Sequence, residues 1–111
     1  MQLQIDGLSV HVEQIGSGSD VVLLHGWGYG LDLLMPLATR LSANHRVTLI
    51  DLPGHGGTSE PSEPYCIEDF ALVVARTLDA LGIKKAHFAG HSNGGRTIIA
   101  LSRNHAHLMD R

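Results

Sequence analysis

The chain opens with two short runs in which apolar and polar residues alternate: Leu3 and Ile5 before Asp6-Gly7, Val10 and Val12 after it. A period of two, broken by a D-G pair, predicts an antiparallel hairpin with one wet face. After Gly16-Ser17-Gly18-Ser19-Asp20 the pattern changes to short, nearly continuous apolar runs: V-V-L-L at 21–24, V-T-L-I at 47–50 and A-H-F-A at 86–89. Such runs suit strands covered on both faces.

Between these runs the period lengthens. Leu34, Leu37, Ala38 and Leu41 recur at helical spacing, with Pro36 in the first turn, where no intrahelical N–H partner is lost. Ile67, Phe70, Ala71, Val74, Leu78 and Leu81 make a longer stripe that Gly82 stops. A third helix is predicted after Ser92, through Ile98, Ile99 and Leu101 to about His105. Strands alternating with helices predict an α/β fold, a mostly parallel sheet with flanking helices and an N-terminal antiparallel hairpin. E-P-S-E-P at 60–64 reads as a surface loop, and with no repeat or linker residues 1–111 read as part of one domain.

Composition narrows the function classes. Eight basic and eleven acidic residues, for a formal net charge of −3, give no electrostatic reason to expect nucleic acid or an anionic membrane. A small molecule is the default partner. The single Cys66 cannot form an intrachain disulfide, which fits a reducing compartment, and it reads as a partly buried small apolar residue. No leader-like N-terminus and no apolar run of membrane-spanning length is present, so the expectation is cytoplasmic.

The stretch K-K-A-H-F-A-G-H-S-N-G-G-R, 84–96, carries the chemistry. A strand ending at Ala89, a sharp turn and an immediate helix would lift Ser92 above the strand's carboxyl end. Gly90 and Gly94 suit a turn that brings backbone segments too close for a Cβ. Helix N-terminal N–H groups beside Ser92 favour developing negative charge. G-x-S-x-G alone is a weak signal; its strand-before, helix-after context is what gives it meaning.

Two further segments follow the first two buried strands: His25-Gly26-Trp27-Gly28 and D-L-P-G-H-G-G-T-S at 51–59. Together with G-H-S-N-G-G these resemble the α/β-hydrolase superfamily, in its serine-nucleophile, cofactor-free, esterase-like branch. The resemblance implies that Ser92 is the catalytic nucleophile and forms an acyl-enzyme. It implies that the backbone N–H groups of Trp27 and Asn93 form the oxyanion hole, with the Trp27 indole facing the substrate, and that His25, Gly26, Gly90 and Gly94 support the loop and elbow. The implied partner is a small-molecule acyl substrate bearing an ester, thioester, lactone or related carbonyl bond.

Other histidines read differently. Asp51 and His55 lie in a segment that resembles the family's turn after strand four, and His91 neighbours Ser92 on a turn where adjacent side chains point apart. His105 and His107 lack the spacing of a helical metal pair, so no metal is expected. G-S-G-S-D and G-H-G-G-T-S lack the features of a dinucleotide or phosphate loop. In the family the acid and the histidine follow the nucleophile on later loops, and only nineteen residues follow Ser92. The chain thus reads as the N-terminal part of a hydrolase, unfinished at the sheet edge, and the expectation is that it is inactive alone and prone to self-associate there. A non-catalytic binding or interaction module is the alternative.

Overall fold

The computed structural model describes residues 1–110. Its strands are β1 (Gln2–Ile5), β2 (Leu8–Ile15), β3 (Ser19–Leu24), β4 (His45–Ile50) and β5 (His87–Gly90), and its α-helices are α1 (Met35–Leu41), α2 (Ile67–Ala80) and α3 (Asn93–Asn104). They form one five-stranded mixed sheet in the order β1-β2-β4-β3-β5 with flanking helices. β1–β2 and β2–β4 are antiparallel, whereas β3 lies parallel to both β4 and β5. Asp6 and Gly7 both take positive φ, 50° and 81°, as the tight hairpin turn requires.

The buried strands divide their side chains between two faces. Val22, Leu24 and Ile50 join Val10 and Val12 in the larger core, which α2 and α3 cover. Val21, Leu23, Val47 and Leu49 face the other way, against Leu31 of a 3-10 turn at Leu31–Leu34 and Ala38 of α1. Both faces are therefore apolar, which is why these strands read as continuous runs.

Four details differ from the sequence reading. The stretch around Pro36 splits into the 3-10 turn and the short α1, with only Ala38 of the expected stripe fully buried and Leu37 44% exposed. One short helix covers that face, so its far flank stays wet. Cys66 is exposed rather than partly buried: it precedes α2, where its N–H donates to the Asp69 carboxylate at 2.9 Å. β3 and β4 begin two residues before their apolar runs, because Asp20 and Arg46 pair across the strands through two bonds of 2.6 and 3.0 Å, and Ser19 Oγ lies 2.8 Å from His45 Nδ1. Finally, the residue just before β5 is not bare on its outer side, although β5 itself is the last strand of the sheet. Ala86 forms a parallel bridge with Met109, its N–H donating to the Leu108 carbonyl and its carbonyl accepting from Asp110 N–H, each at 2.9 Å.

Among the described residues, no helix is long and apolar enough to cross a membrane.

Candidate active site

The elbow between β5 and α3 is tightly constrained backbone. Ser92 has φ 55° and ψ −111°, a conformation that glycine adopts freely and other residues only under strain. Only Asp6, in the hairpin turn, is the other non-glycine residue with positive φ among the described residues. The serine is exposed and its side chain does not cap α3. Three backbone bonds hold the turn: His91 N–H to the Leu24 carbonyl at 3.0 Å, Gly94 N–H to the His91 carbonyl at 3.0 Å and Arg96 N–H to the Ser92 carbonyl at 3.1 Å.

Close approach explains the glycines. A Cβ on Gly94 would stand 2.2 Å from the Leu24 carbonyl oxygen, and one on Gly90 2.5 Å from the carbonyl carbon of Gly94. Neither neighbour is a flexible side chain that could move aside. Gly26 runs against the elbow from the β3 side, where a Cβ would meet His91 Nδ1 at 2.7 Å and Ser92 Cβ at 3.3 Å. The segment Gly26-Trp27 is thus brought directly beside Ser92. Among the described residues, the N–H groups of Trp27 and Asn93 donate to no backbone carbonyl. Two free donors and an exposed hydroxyl therefore share one corner of the molecule.

Two buried polar side chains tie the surrounding loops together. His25 is fully buried; its Nδ1 lies 2.8 Å from the Gly26 carbonyl, and its Nε2 accepts the Leu52 N–H at 2.8 Å. Accepting an amide proton at Nε2 requires the neutral ring with its hydrogen on Nδ1. Burial, reinforced by neighbouring His55, lowers the His25 pKa despite the opposing Gly26 bond and Asp51 charge. Asp51, also buried, accepts Leu31 N–H at 2.6 Å through one oxygen and Gly57 N–H at 2.9 Å through the other. Its backbone carbonyl takes the Thr58 hydroxyl at 2.5 Å, and Thr58 Oγ1 in turn accepts His11 N–H from β2. Asp51 is therefore engaged in fastening the loop after β3 to the loop after β4, a role that sequence reasoning missed. Its one available signal is position, a carboxylate set directly after a buried strand.

Four further histidines lie on or near these loops and at the end of α3. His55 Nδ1 lies 3.0 Å from the Pro53 carbonyl, and its ring meets the edge of the Trp27 indole with centroids 4.9 Å apart. The His91 ring stands edge-on to Tyr29 at 6.2 Å. His105 and His107 lie beyond α3, and among the described residues no group of three or more His, Cys, Asp or Glu side chains could hold a metal. Trp27 is 69% exposed and forms a wall shared by two clefts. The larger, about 720 Å³, lies among Trp27, Tyr29, His55, Glu60 and Tyr65; the smaller, about 400 Å³, runs along α3 past Asn93 and Arg96.

These geometries generate two predictions. Ser92→Gly should raise stability by about 1 kcal/mol through relief of backbone strain, whereas Gly94→Ala should lower it by about 1–3 kcal/mol, both read by urea denaturation. A stability loss in Ser92→Gly would contradict the strain. The second concerns pH. Unfolded His25 takes up its proton near the ordinary value of 6.5, and the folded ring does so only at lower pH. The unfolded state therefore binds more protons in that window, so stability should fall as pH drops below about 6.5 and level off below the folded value. Denaturation from pH 7.5 to 5 should show a smaller fall in His25→Gln than in the parent chain; identical slopes would exclude the titration.

Comparison with known proteins agrees with this architecture. The α/β hydrolase fold family matches residues 21–111. The pimeloyl-(acyl-carrier protein) methyl ester esterase of Aeromonas salmonicida is 39% identical over 93 residues, covering 79% of this chain and 34% of that protein. The enol-lactonase of Burkholderia xenovorans LB400 superposes with a TM-score of 0.95 at 32% identity, over 100% of this chain and 44% of the lactonase. An N-acyl homoserine lactone degrading enzyme gives a TM-score of 0.94 at 28% identity, over 98% of this chain and 42% of that one. The chain thus spans well under half the length of these relatives, and over that span it belongs to the α/β-hydrolase fold family.

Proposed function

We propose that this chain carries the nucleophile and oxyanion hole of a serine hydrolase acting on an ester, thioester, lactone or related carbonyl bond of a small molecule. The observation that carries the proposal is the strained, exposed Ser92 at a strand-to-helix turn with the Gly26-Trp27 segment packed against it. In this reading Ser92 Oγ attacks the carbonyl carbon while a histidine base takes its proton. The tetrahedral oxyanion receives the N–H groups of Trp27 and Asn93, donors that need no reorganisation as charge develops. Collapse expels the alcohol or thiol, protonated by the same histidine. Water then releases the acid and regenerates the serine. The sequence needs no cofactor. The named activities of the relatives, a methyl ester esterase, an enol-lactonase and an N-acyl homoserine lactone degrading enzyme, support acyl chemistry.

In the family that this reading rests on, the histidine base follows the nucleophile on a later loop. Both nitrogens of His25 are committed to loop bonds, and His55 Nδ1 lies against the Pro53 carbonyl.

In a protein that also contains that base, Ser92→Ala should abolish hydrolysis of a p-nitrophenyl ester while leaving the far-UV circular dichroism unchanged. Retention of more than a small fraction of kcat would sink the assignment. Trp27→Phe should chiefly change KM, whereas Trp27→Pro, which removes the N–H, should lower kcat by about 10²-fold or more. Equal effects would contradict a backbone role. Substrate binding without turnover in the base-containing protein would favour the alternative of a binding module.

The 111-residue chain by itself should not react appreciably with a fluorophosphonate probe, because a serine hydroxyl without a base is a poor nucleophile. It should also self-associate through the outer side of β5, where Ala86 makes the bridge to Met109 and the strand beyond it lies at the sheet edge. Probe titration beside Ser92→Ala, with light scattering, tests both. A monodisperse monomer with Ser92-dependent labelling would contradict both expectations.

A further inference from the structure

We propose that the smaller cleft beside the elbow is an anion subsite, which receives a free carboxylate at the far end of an acyl substrate whose reacting carbonyl sits at Ser92. The inference rests on the acyl-transfer reading of Ser92 and adds to it a substrate class.

Three observations converge on this cleft. Asn93, the residue after the nucleophile, lines it, and the side-chain Nδ2 of Asn93 is buried without a hydrogen-bond partner among the described residues. A buried amide donor is ordinarily paired, and a rotation of the Asn93 side chain toward the cleft would bring this orphan to an acceptor bound there. Arg96 and Arg103 line the same cleft from α3, both exposed, and neither is in an ion pair among the described residues. Residues 93, 96 and 103 share one flank at helical spacing. The walls between them are apolar, supplied by Trp27, Phe70 and Ile99, the last 60% exposed. Glu68 is the lining's one acidic residue, and it sits in the first turn of α2, where a helix N-terminus already favours a carboxylate.

The arrangement selects for an apolar stem ending in negative charge. Along a helix rising about 1.5 Å per residue, Arg96 lies about 6 Å below Ser92 and Arg103 about 16 Å. A guanidinium presents a planar fork of donors that matches a carboxylate. A half-ester of a dicarboxylic acid fits this description: its ester carbonyl at the elbow, its methylenes against Trp27 and Phe70, its free acid at Arg96. A neutral diester of the same length leaves the guanidinium and the Asn93 amide without an anionic partner.

The test reads binding rather than turnover. Trp27 is the chain's one tryptophan and walls the cleft, so its fluorescence reports occupancy. The probes are monomethyl adipate and its uncharged counterpart, dimethyl adipate, titrated into the 111-residue chain at one fixed protein concentration, so that its association state is common to both. The monoester should bind about tenfold more tightly or better, and added salt should weaken the monoester alone. Arg96→Gln should remove most of the preference, and Arg96→Lys should retain part of it, since charge remains but the fork is lost. Equal affinity for the two probes would overturn the subsite, as would a preference that survives in the Arg96→Gln, Arg103→Gln double variant. If the monoester preference holds but Ser92→Ala keeps full esterase activity in the base-containing protein, the nucleophile assignment falls and the anion subsite stands.

Discussion

The contact between Gly94 and the carbonyl end of β3 fixes the rest of the site. With no Cβ on Gly94, the first turn of α3 lies against the Leu24 carbonyl closely enough that any side chain there would sit inside backbone van der Waals distance. Gly90 makes the matching allowance between β5 and the same turn. This seating forces the chain to reverse within the two residues His91 and Ser92, and the serine absorbs the reversal as positive φ. A strained residue persists only where its surroundings over-determine it. Here the three backbone bonds of the turn and the body of α3 packed on the larger core do so.

The loops around the elbow depend on a different device, buried polar groups that are fully committed. His25 bridges the chain immediately after β3 to the start of the segment after β4, and Asp51 reaches back from that segment to Leu31. Each satisfies backbone N–H groups that the irregular loops would otherwise leave unpaired, which is what makes burying such side chains tolerable. Gly56 shows how tight the arrangement is: a Cβ there would fall 2.3 Å from an Asp51 carboxylate oxygen. The segment 26–31 is consequently held at both ends, by His25 and by Asp51, with Trp27 between them.

What could be read from the sequence was what is local. The D-G hairpin turn, the apolar strand runs and the stripe of α2 each depend on residues within a few positions of one another, and all are present. The elbow was legible for the same reason, a strand, two glycines and a helix within a dozen residues. Exposure was less so. Leu37 looks like a core residue by spacing, yet whether it is covered depends on how much of the sheet face α1 spans. The polar starts of β3 and β4 were invisible because Asp20 and Arg46 are strand residues only by virtue of each other. Asp51, Thr58 and His11 form a relay across three segments that no single window of sequence contains.

The place of β3 in the sheet has a consequence for how the chain is assembled. Val21 pairs on one side with Val47 and on the other with His87, so the second partner closes a much longer stretch of chain than the first. Loop-closure entropy grows only logarithmically with length, and the difference between the two closures is about 1 kcal/mol. Topology therefore imposes an order more than a large energetic penalty. β4 can join β3 by a short crossover, while the contact of Gly94 with Leu24 has to wait until β5 and the turn beyond it arrive. Until then one side of β3 presents open hydrogen-bonding groups, the most vulnerable surface on the folding path.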